Sequence, residues 1–352
     1  MQFRREVKSQ ELLSPALQFE SEIQPIEYRE DPLTGSQSRI NVTRAGRVKQ
    51  AQKGELVVKE MVERTRSGCF FCAENIRQRT PKLPSRLLPG GRIERGECLL
   101  FPNLYPFAEY HAVATLTGRH YLELDEFTTE MLVDNLTVSK EYIALVHQKD
   151  PEAKYPLWIW NHLPPSGASI IHPHVQIVVD RAPTPELERL MVKSEEYLQR
   201  QGASYWQELI RAEREIGERY IGENDSLAVI ASFAPRGNNE VQVILKRAAN
   251  LMDLDEGQTG DFAAAILKIL RCYRAMGINS FNLITYSAPL AERPDYFLMS
   301  ARIISRPVFR PLYTSDAGSM ERFYDIWIIE TLPEEVAREM RESFLNTPPQ
   351  CG

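Results

Sequence analysis

The feature that most limits the fold of this chain is an internal repeat of element order. The first half carries strand-like runs at 97–103 and 111–116, an apolar-periodic stretch over 125–148, and further strand-like runs at 155–161 and 170–179. The second half repeats that order with runs at 227–233 and 240–246, a helical stretch over 257–276 closed by Gly277, and runs at 281–286 and 296–304. Strand pairs separated by one long helix predict antiparallel sheets with helices on one face, because a parallel sheet needs a helical crossover after every strand. No glycine-rich dinucleotide fingerprint follows any of these strands. The expected fold class is therefore α+β, with two alike units in tandem over 1–182 and 183–352. The charged segment 183–223 opens the second unit. It begins Thr184-Pro185-Glu186, an N-cap residue, a proline at the first helical position and an acid in the first turn, so a linking helix is expected there.

Composition removes several function classes. The chain has 352 residues, enough for two such units and a large core, with 43% hydrophobic and 26% charged residues. No apolar run reaches the roughly 18 residues of a membrane span, and the N-terminus is polar and charged, so a cytoplasmic protein with no membrane partner is expected. A net charge of −6 argues against nucleic acid as a partner, since phosphate-backbone binding needs a basic face. Five cysteines in such a chain make no disulfide framework.

Chemistry concentrates in the run at 170–179. Its Ile and Val content predicts a buried strand, and His172, His174 and Gln176 at i, i+2 and i+4 then share one face. All six histidines lie in the first half; in the second, Ser300, Arg302 and Ile304 are the counterparts of that trio. One active centre per chain is expected. Cys69 and Cys72 form a Cys-x-x-Cys pair that can meet one zinc or act as a redox couple; a metal site requires two more ligands from among His111, His120, His147, His162, His172 and His174.

These motifs fall in a recognisable order. Asp31-Pro32-Leu33-Thr34-Gly35 is followed by Arg44 and Arg47; then come Cys69-Phe70-Phe71-Cys72, Phe101-Pro102-Asn103, and Thr117-Gly118-Arg119-His120. Asn161 leads through Gly167-Ala168-Ser169 to His172-Pro173-His174-Val175-Gln176. In this order, from about Tyr28 to Glu335, the chain resembles the galactose-1-phosphate uridylyltransferase family, the duplicated transferase branch of the histidine-triad superfamily. The resemblance implies two histidine-triad-like units, the first catalytic and zinc-binding, and a nucleotidyltransferase that works by ping-pong through a covalent nucleotidyl-histidine. His174 would be the nucleophile. Gln176 stands where hydrolases of the superfamily have a third histidine; a carboxamide donates hydrogen bonds but trades no protons, which favours transfer over hydrolysis. Ser169, with the backbone at Gly167 and Ala168, would cradle phosphate oxygens, Arg44 and Arg47 would neutralise a diphosphate, and Phe101, Asn103 and Asn161 would contact the nucleotide. Cys69, Cys72, His120 and His172 would hold one structural zinc.

The partners so implied are a nucleoside-diphosphate sugar and a phosphorylated acceptor, with a homodimer as the assembly. The reference reaction is uridylyl transfer between UDP-glucose and a hexose 1-phosphate in galactose metabolism; the alternatives are an adenylyl-transferring phosphorylase using ADP-glucose or a dinucleoside polyphosphate, and a non-catalytic nucleotide-binding protein. Two departures from the family pattern bear on substrate. Tyr286, Ser300 and Arg302 replace the histidines of a second metal site, and Arg322-Phe323-Tyr324-Asp325-Ile326-Trp327-Ile328-Ile329 stands where the family's hexose-binding Lys-Phe-x-x-Gly-Tyr-Glu segment is expected.

Overall fold

A computed structural model describes residues 1–46 and 58–346. The first half contains β1 (Arg4–Ser14), β2 (Glu20–Glu30), β3 (Gln37–Ile40), α1 (Val58–Arg66), α2 (Ala73–Arg79), β4 (Ile93–Arg95), β5 (Cys98–Pro102), β6 (His111–Thr115), α3 (Thr129–Lys149), β7 (Tyr155–His162) and β8 (His174–Asp180). The second contains α4 (Pro185–Gln201), α5 (Tyr205–Ile216), β9 (Tyr220–Glu223), β10 (Leu227–Ala231), β11 (Val241–Leu245), α6 (Glu256–Ala275), β12 (Phe281–Tyr286), β13 (Ser300–Ser305), α7 (Ser319–Tyr324), β14 (Ile326–Ile329) and α8 (Pro333–Asn346).

Ten of these strands form one antiparallel sheet in the order β4-β5-β6-β8-β7-β12-β13-β11-β10-β9. Read outward from the centre, β7-β8-β6-β5-β4 and β12-β13-β11-β10-β9 are the same arrangement twice, which is the repeat seen in the element order. The halves meet where β7 pairs with β12, Asn161 opposite Asn282 and Trp160 opposite Leu283. The sheet is thus shared and not split between the halves.

Strand periodicity then sorts the side chains. Val175, Ile177 and Val179 of β8 and Ala301 and Ile303 of β13 point to one face, where they join residues of α3, α6 and α8 in a single core spanning both halves. Asn135, wholly buried on α3, stitches that helix to the sheet: its amide donates to the carbonyls of Ala114 and Thr115 and its Oδ1 accepts from Trp158 Nε1 at 3.1 Å.

The opposite face differs between the halves. In the second half it is covered by α4 and α5, whose Leu187, Leu190, Trp206 and Leu209 pack on Ala228, Ile230 and Ile244. In the first half, among the described residues, it receives the short Cys69–Cys72 segment and α2, through Phe71 and Ile76 against Leu99, Phe101 and Val113. A lasting opening is left on that side, and it lies over β8.

Several sequence expectations are corrected. The linking segment 183–223 is two helices and a strand, broken where Gly202 adopts φ +68°, a left-handed conformation that glycine enters without a steric penalty. The run at 170–179 becomes a strand only at His174: Pro173 has no N–H to give the ladder, and its carbonyl accepts from Leu116 N. The run at 296–304 likewise begins at Ser300, and the helix of 125–148 begins at Thr129 under the Thr128 cap. Residues 4–30, in which no element was expected, form the long hairpin β1–β2, extended by β3 and a parallel β14 into a second sheet. Buried Arg29 anchors it to α8 through Glu334, with Arg219 on the same carboxylate. Among the described residues, no helix is long and apolar enough to cross a membrane.

Candidate active site

Leading into β8, the chain passes from a turn at Pro164–Ser166 through Gly167 at φ +92° to Ala168 and Ser169. That left-handed position is open to glycine and costly to other residues, and it lays the loop against the end of the strand. A cavity of about 360 Å³ results, with Phe101, Val113, His174 and Gln176 of the sheet, the Gly167–Ser169 loop, and Phe70, Phe71 and Asn103 in its lining. His174 and Gln176 do share this face. His172 does not join them, since it precedes the strand and directs its ring to the cysteines.

His174 is buried, and burial holds its imidazole below the usual histidine range, hence neutral near pH 7. Its Nδ1 lies 2.7 Å from the carbonyl oxygen of His172, an acceptor only, so Nδ1 carries the ring proton and donates it. The Nε2 lone pair is therefore the end available for attack. The Phe71 ring meets this imidazole edge-on at 5.3 Å.

Gln176 is oriented from the neighbouring strand. His111 Nε2 lies 2.9 Å from Gln176 Oε1, and Phe107 N–H donates to His111 Nδ1 at 3.4 Å. With its proton on Nε2, the tautomer that suits the Phe107 contact, His111 donates to Gln176 and leaves the glutamine NH₂ as a donor, and the Asn103 NH₂ then makes no hydrogen bond to that nitrogen. Burial keeps His111 neutral as well. Asn103 Nδ2 stands 3.1 Å from the same His111 nitrogen, and its Oδ1 accepts from Tyr105 N. His111, counted above among possible metal ligands, does not join the cysteines; its contact with Gln176 depends on β6–β8 register, His111 opposite Val178, which no motif displays.

Beside the cavity, Cys69, Cys72, His120 and His172 are all buried and place one ligand atom each within 4.8 Å of one another, so that they can hold one metal ion. His172 Nδ1 is 3.8 Å from both sulfurs and His120 Nδ1 is 3.4 Å from Cys72 Sγ. A tetrahedral ion with sulfur ligands at about 2.3 Å and nitrogen ligands at about 2.0–2.1 Å separates sulfur from nitrogen by about 3.6 Å, so the donors fit such an ion. The outer nitrogens are also engaged: His172 Nε2 on the Thr117 carbonyl at 2.7 Å and His120 Nε2 with Thr65 Oγ1 at 3.0 Å. Burial pushes the Cys72 thiol up to about 12, with the adjacent Cys69 adding to it, and burial pushes His172 down to about 4.

The remaining expected residues divide. Asn161 lies on β7, where continuing the Ile159–Gln176 register brings it level with His174. Ser169 is exposed at the cavity rim and Phe101 is buried in its wall. Arg44 sits exposed in a short turn beyond β3 and does not line the cavity at His174; Arg47 lies outside the described residues. Arg302, on β13, is a buried ion-pair partner, 3.3 Å from Glu240.

No protein-family model matches the chain. A protein of Archaeoglobus fulgidus described as uncharacterized is 34% identical over 343 residues, 97% of this chain and 98% of that one. The chain belongs to that protein's family. Among solved structures, an ADP-glucose phosphorylase of Arabidopsis thaliana with bound ADP-glucose superposes with TM-score 0.71 at 20% identity, over 90% of this chain and 99% of that one. A GalT-like protein of the same plant gives 0.68 at 19%, over 90% and 98%, and a uridylyltransferase gives 0.66 at 21%, over 92% and 99%. The family therefore has the galactose-1-phosphate uridylyltransferase-like fold that the motif order implied.

Proposed function

We propose that this protein is a nucleotidyltransferase acting on a nucleoside-diphosphate sugar through a covalent adduct on His174. The observation that carries this reading is the tautomer of His174: a buried neutral imidazole with Nδ1–H committed to the His172 carbonyl and Nε2 directed at a cavity with a glycine-turned loop. In the first step Nε2 attacks the α-phosphorus, the P–N bond forms, the bond to the bridging oxygen of the diphosphate breaks, and a sugar 1-phosphate leaves as its anion. The positive charge gained by the ring spreads to Nδ1–H, which the His172 carbonyl receives. In the second step a phosphate oxygen of the acceptor attacks the same phosphorus and the P–N bond breaks, restoring the neutral imidazole. Two easier displacements thus replace one difficult one.

The other residues take roles their contacts support. The Gln176 NH₂ donates to a non-bridging oxygen as charge builds there, and having no transferable proton it does not activate water. The loop amides at Gly167–Ser169 receive the phosphate, while Phe101, Val113 and Phe71 offer the base an apolar wall. A second cavity of about 650 Å³ shares Phe70, Ser169 and Ile170 with the first and is lined by Arg64, Arg310 and Tyr313, which suits a phosphorylated acceptor. Cys69, Cys72, His120 and His172 would hold zinc, whose role is structural: four protein ligands leave no open position, and fixing His172 fixes the strand entry two residues before the nucleophile.

Isotope exchange tests the ping-pong reading. Labelled glucose 1-phosphate should pass into UDP-glucose or ADP-glucose with no second acceptor present, and the donor that exchanges identifies the base. Exchange that needs a further acceptor would indicate direct transfer and overturn the covalent step; absence of exchange with both donors would overturn the donor class.

A further inference from the structure

The half without histidines reaches the site through a chain of polar contacts. Asn282, on β12, donates from Nδ2 to Asn161 Oδ1 at 2.6 Å and to the Ser166 carbonyl at 2.9 Å. Its own Oδ1 accepts from Arg306 Nη1 at 2.9 Å. Arg306 in turn pairs with Asp316, with Nε at 3.0 Å and Nη2 at 2.6 Å from Oδ1. Asn282, Arg306 and Asp316 are all partly buried.

An arginine has only donors, so its bond to Asn282 fixes which end of that amide is oxygen. The NH₂ of Asn282 must then face Asn161, and Asn161 must turn its oxygen toward it. The amide nitrogen of Asn161, which takes no partner among the described residues, is left on the side of His174. The second bond of Asn282 pins Ser166, the residue before the Gly167–Ser169 loop. Asp316 matters because it holds a guanidinium of five donors in one orientation.

We propose that Asn282, held by Arg306 and Asp316, is a positioning residue that presents the Asn161 N–H to a nucleotide phosphate or ribose and holds the phosphate loop. This rests on the nucleotidyl-transfer reading above. It gives the second half a part in the site: that half supplies the orientation of a first-half carboxamide across the β7–β12 seam.

A double-mutant cycle on the full chain tests it, read both as the rate of adduct formation from UDP-glucose and ADP-glucose and as the Kd for UMP and AMP, with thermal unfolding as the control for folding. Asn161→Ala and Asn282→Ala should each slow adduct formation about tenfold to hundredfold, and the double variant should lose at least about tenfold less than the product of the two single losses, the remainder over Asn161→Ala reflecting the Ser166 bond. Arg306→Lys, which keeps a donor for Asn282, should retain most of the rate. Losses that multiply in the double variant, or an Asn282→Ala enzyme as fast as wild type, would overturn the proposal. Should Asn282→Ala not fold, the isosteric Asn282→Asp enters the cycle, with the same loss expected because it sets oxygen against oxygen. A wild-type chain that forms no adduct but binds a nucleotide refutes the transferase reading alone, and the binding cycle then decides; a chain that binds neither nucleotide refutes both.

Discussion

At the scale of single residues, burial separates the histidines by task. His174 and His111 are buried but keep one nitrogen each for function, whereas His162 is sealed between Trp160, Phe127 and a Phe281 ring stacked at 5.1 Å, with Nε2 unpartnered. Burial drops His162 to about 3 from an ordinary 6.5, with repulsion from His174 adding slightly. A depressed base binds its proton only on unfolding, so the stability it permits is full above pH 6.5 and is lost as pH falls from 6.5 toward 3. His162→Phe should therefore flatten the fall of unfolding free energy across that window by at most about 1.4 kcal/mol per pH unit, measured by urea titration at several pH values. Equal slopes for wild type and variant would refute this. Much at this scale was legible in the sequence: the Cys-x-x-Cys pair does meet His120 and His172 in a cluster that could hold a metal, and His174 and Gln176 of the His-Pro-His-Val-Gln run do line one cavity. Partners set by register were not, which is why His111, Asn282 and Arg306 went unassigned.

Elements show the same division. Strands with one buried face, such as β7 and β12, were located to within a residue because their alternation records burial. The β1–β2 hairpin was missed for the opposite reason: β1 is exposed along nearly its whole length, so no alternation marks it. The break at Gly202 passed unread inside a uniformly charged stretch. Between elements, Asn135 joins α3 to two strands through three buried hydrogen bonds. Asn135→Leu would leave Trp158 Nε1 and the Ala114 and Thr115 carbonyls buried without their partner, at a cost of at least about 2 kcal/mol. A lowered urea midpoint with an unchanged m-value is expected, and an unshifted midpoint would contradict it.

For the whole molecule, one sheet is built twice, and all six histidines lie in the first half of the chain. In the second half α4 and α5 cover, at β10 and β11, the face of the sheet that is open over β8 in the first, and Arg302, the counterpart of His174, pairs with Glu240. Among the described residues, the Cys69–Cys72 segment and α2 cover the open side, so attachment of that segment through a metal should govern both stability and the shape of the cavity. Purified protein should carry one zinc per chain, and its removal with a strong chelator, or Cys72→Ser, should lower the melting temperature and the transfer rate together. A metal-free chain with unaltered melting and rate would show the cluster to be idle.

The most direct measurement is intact-protein mass spectrometry of the wild-type chain and of His174→Ala after separate incubation with UDP-glucose and ADP-glucose. An acid-labile uridylyl or adenylyl increment that appears on the wild type and is missing from the variant is the expected result. An increment that persists in His174→Ala, or a wild-type chain left unmodified by both donors, would contradict the assignment of His174 as the nucleophile.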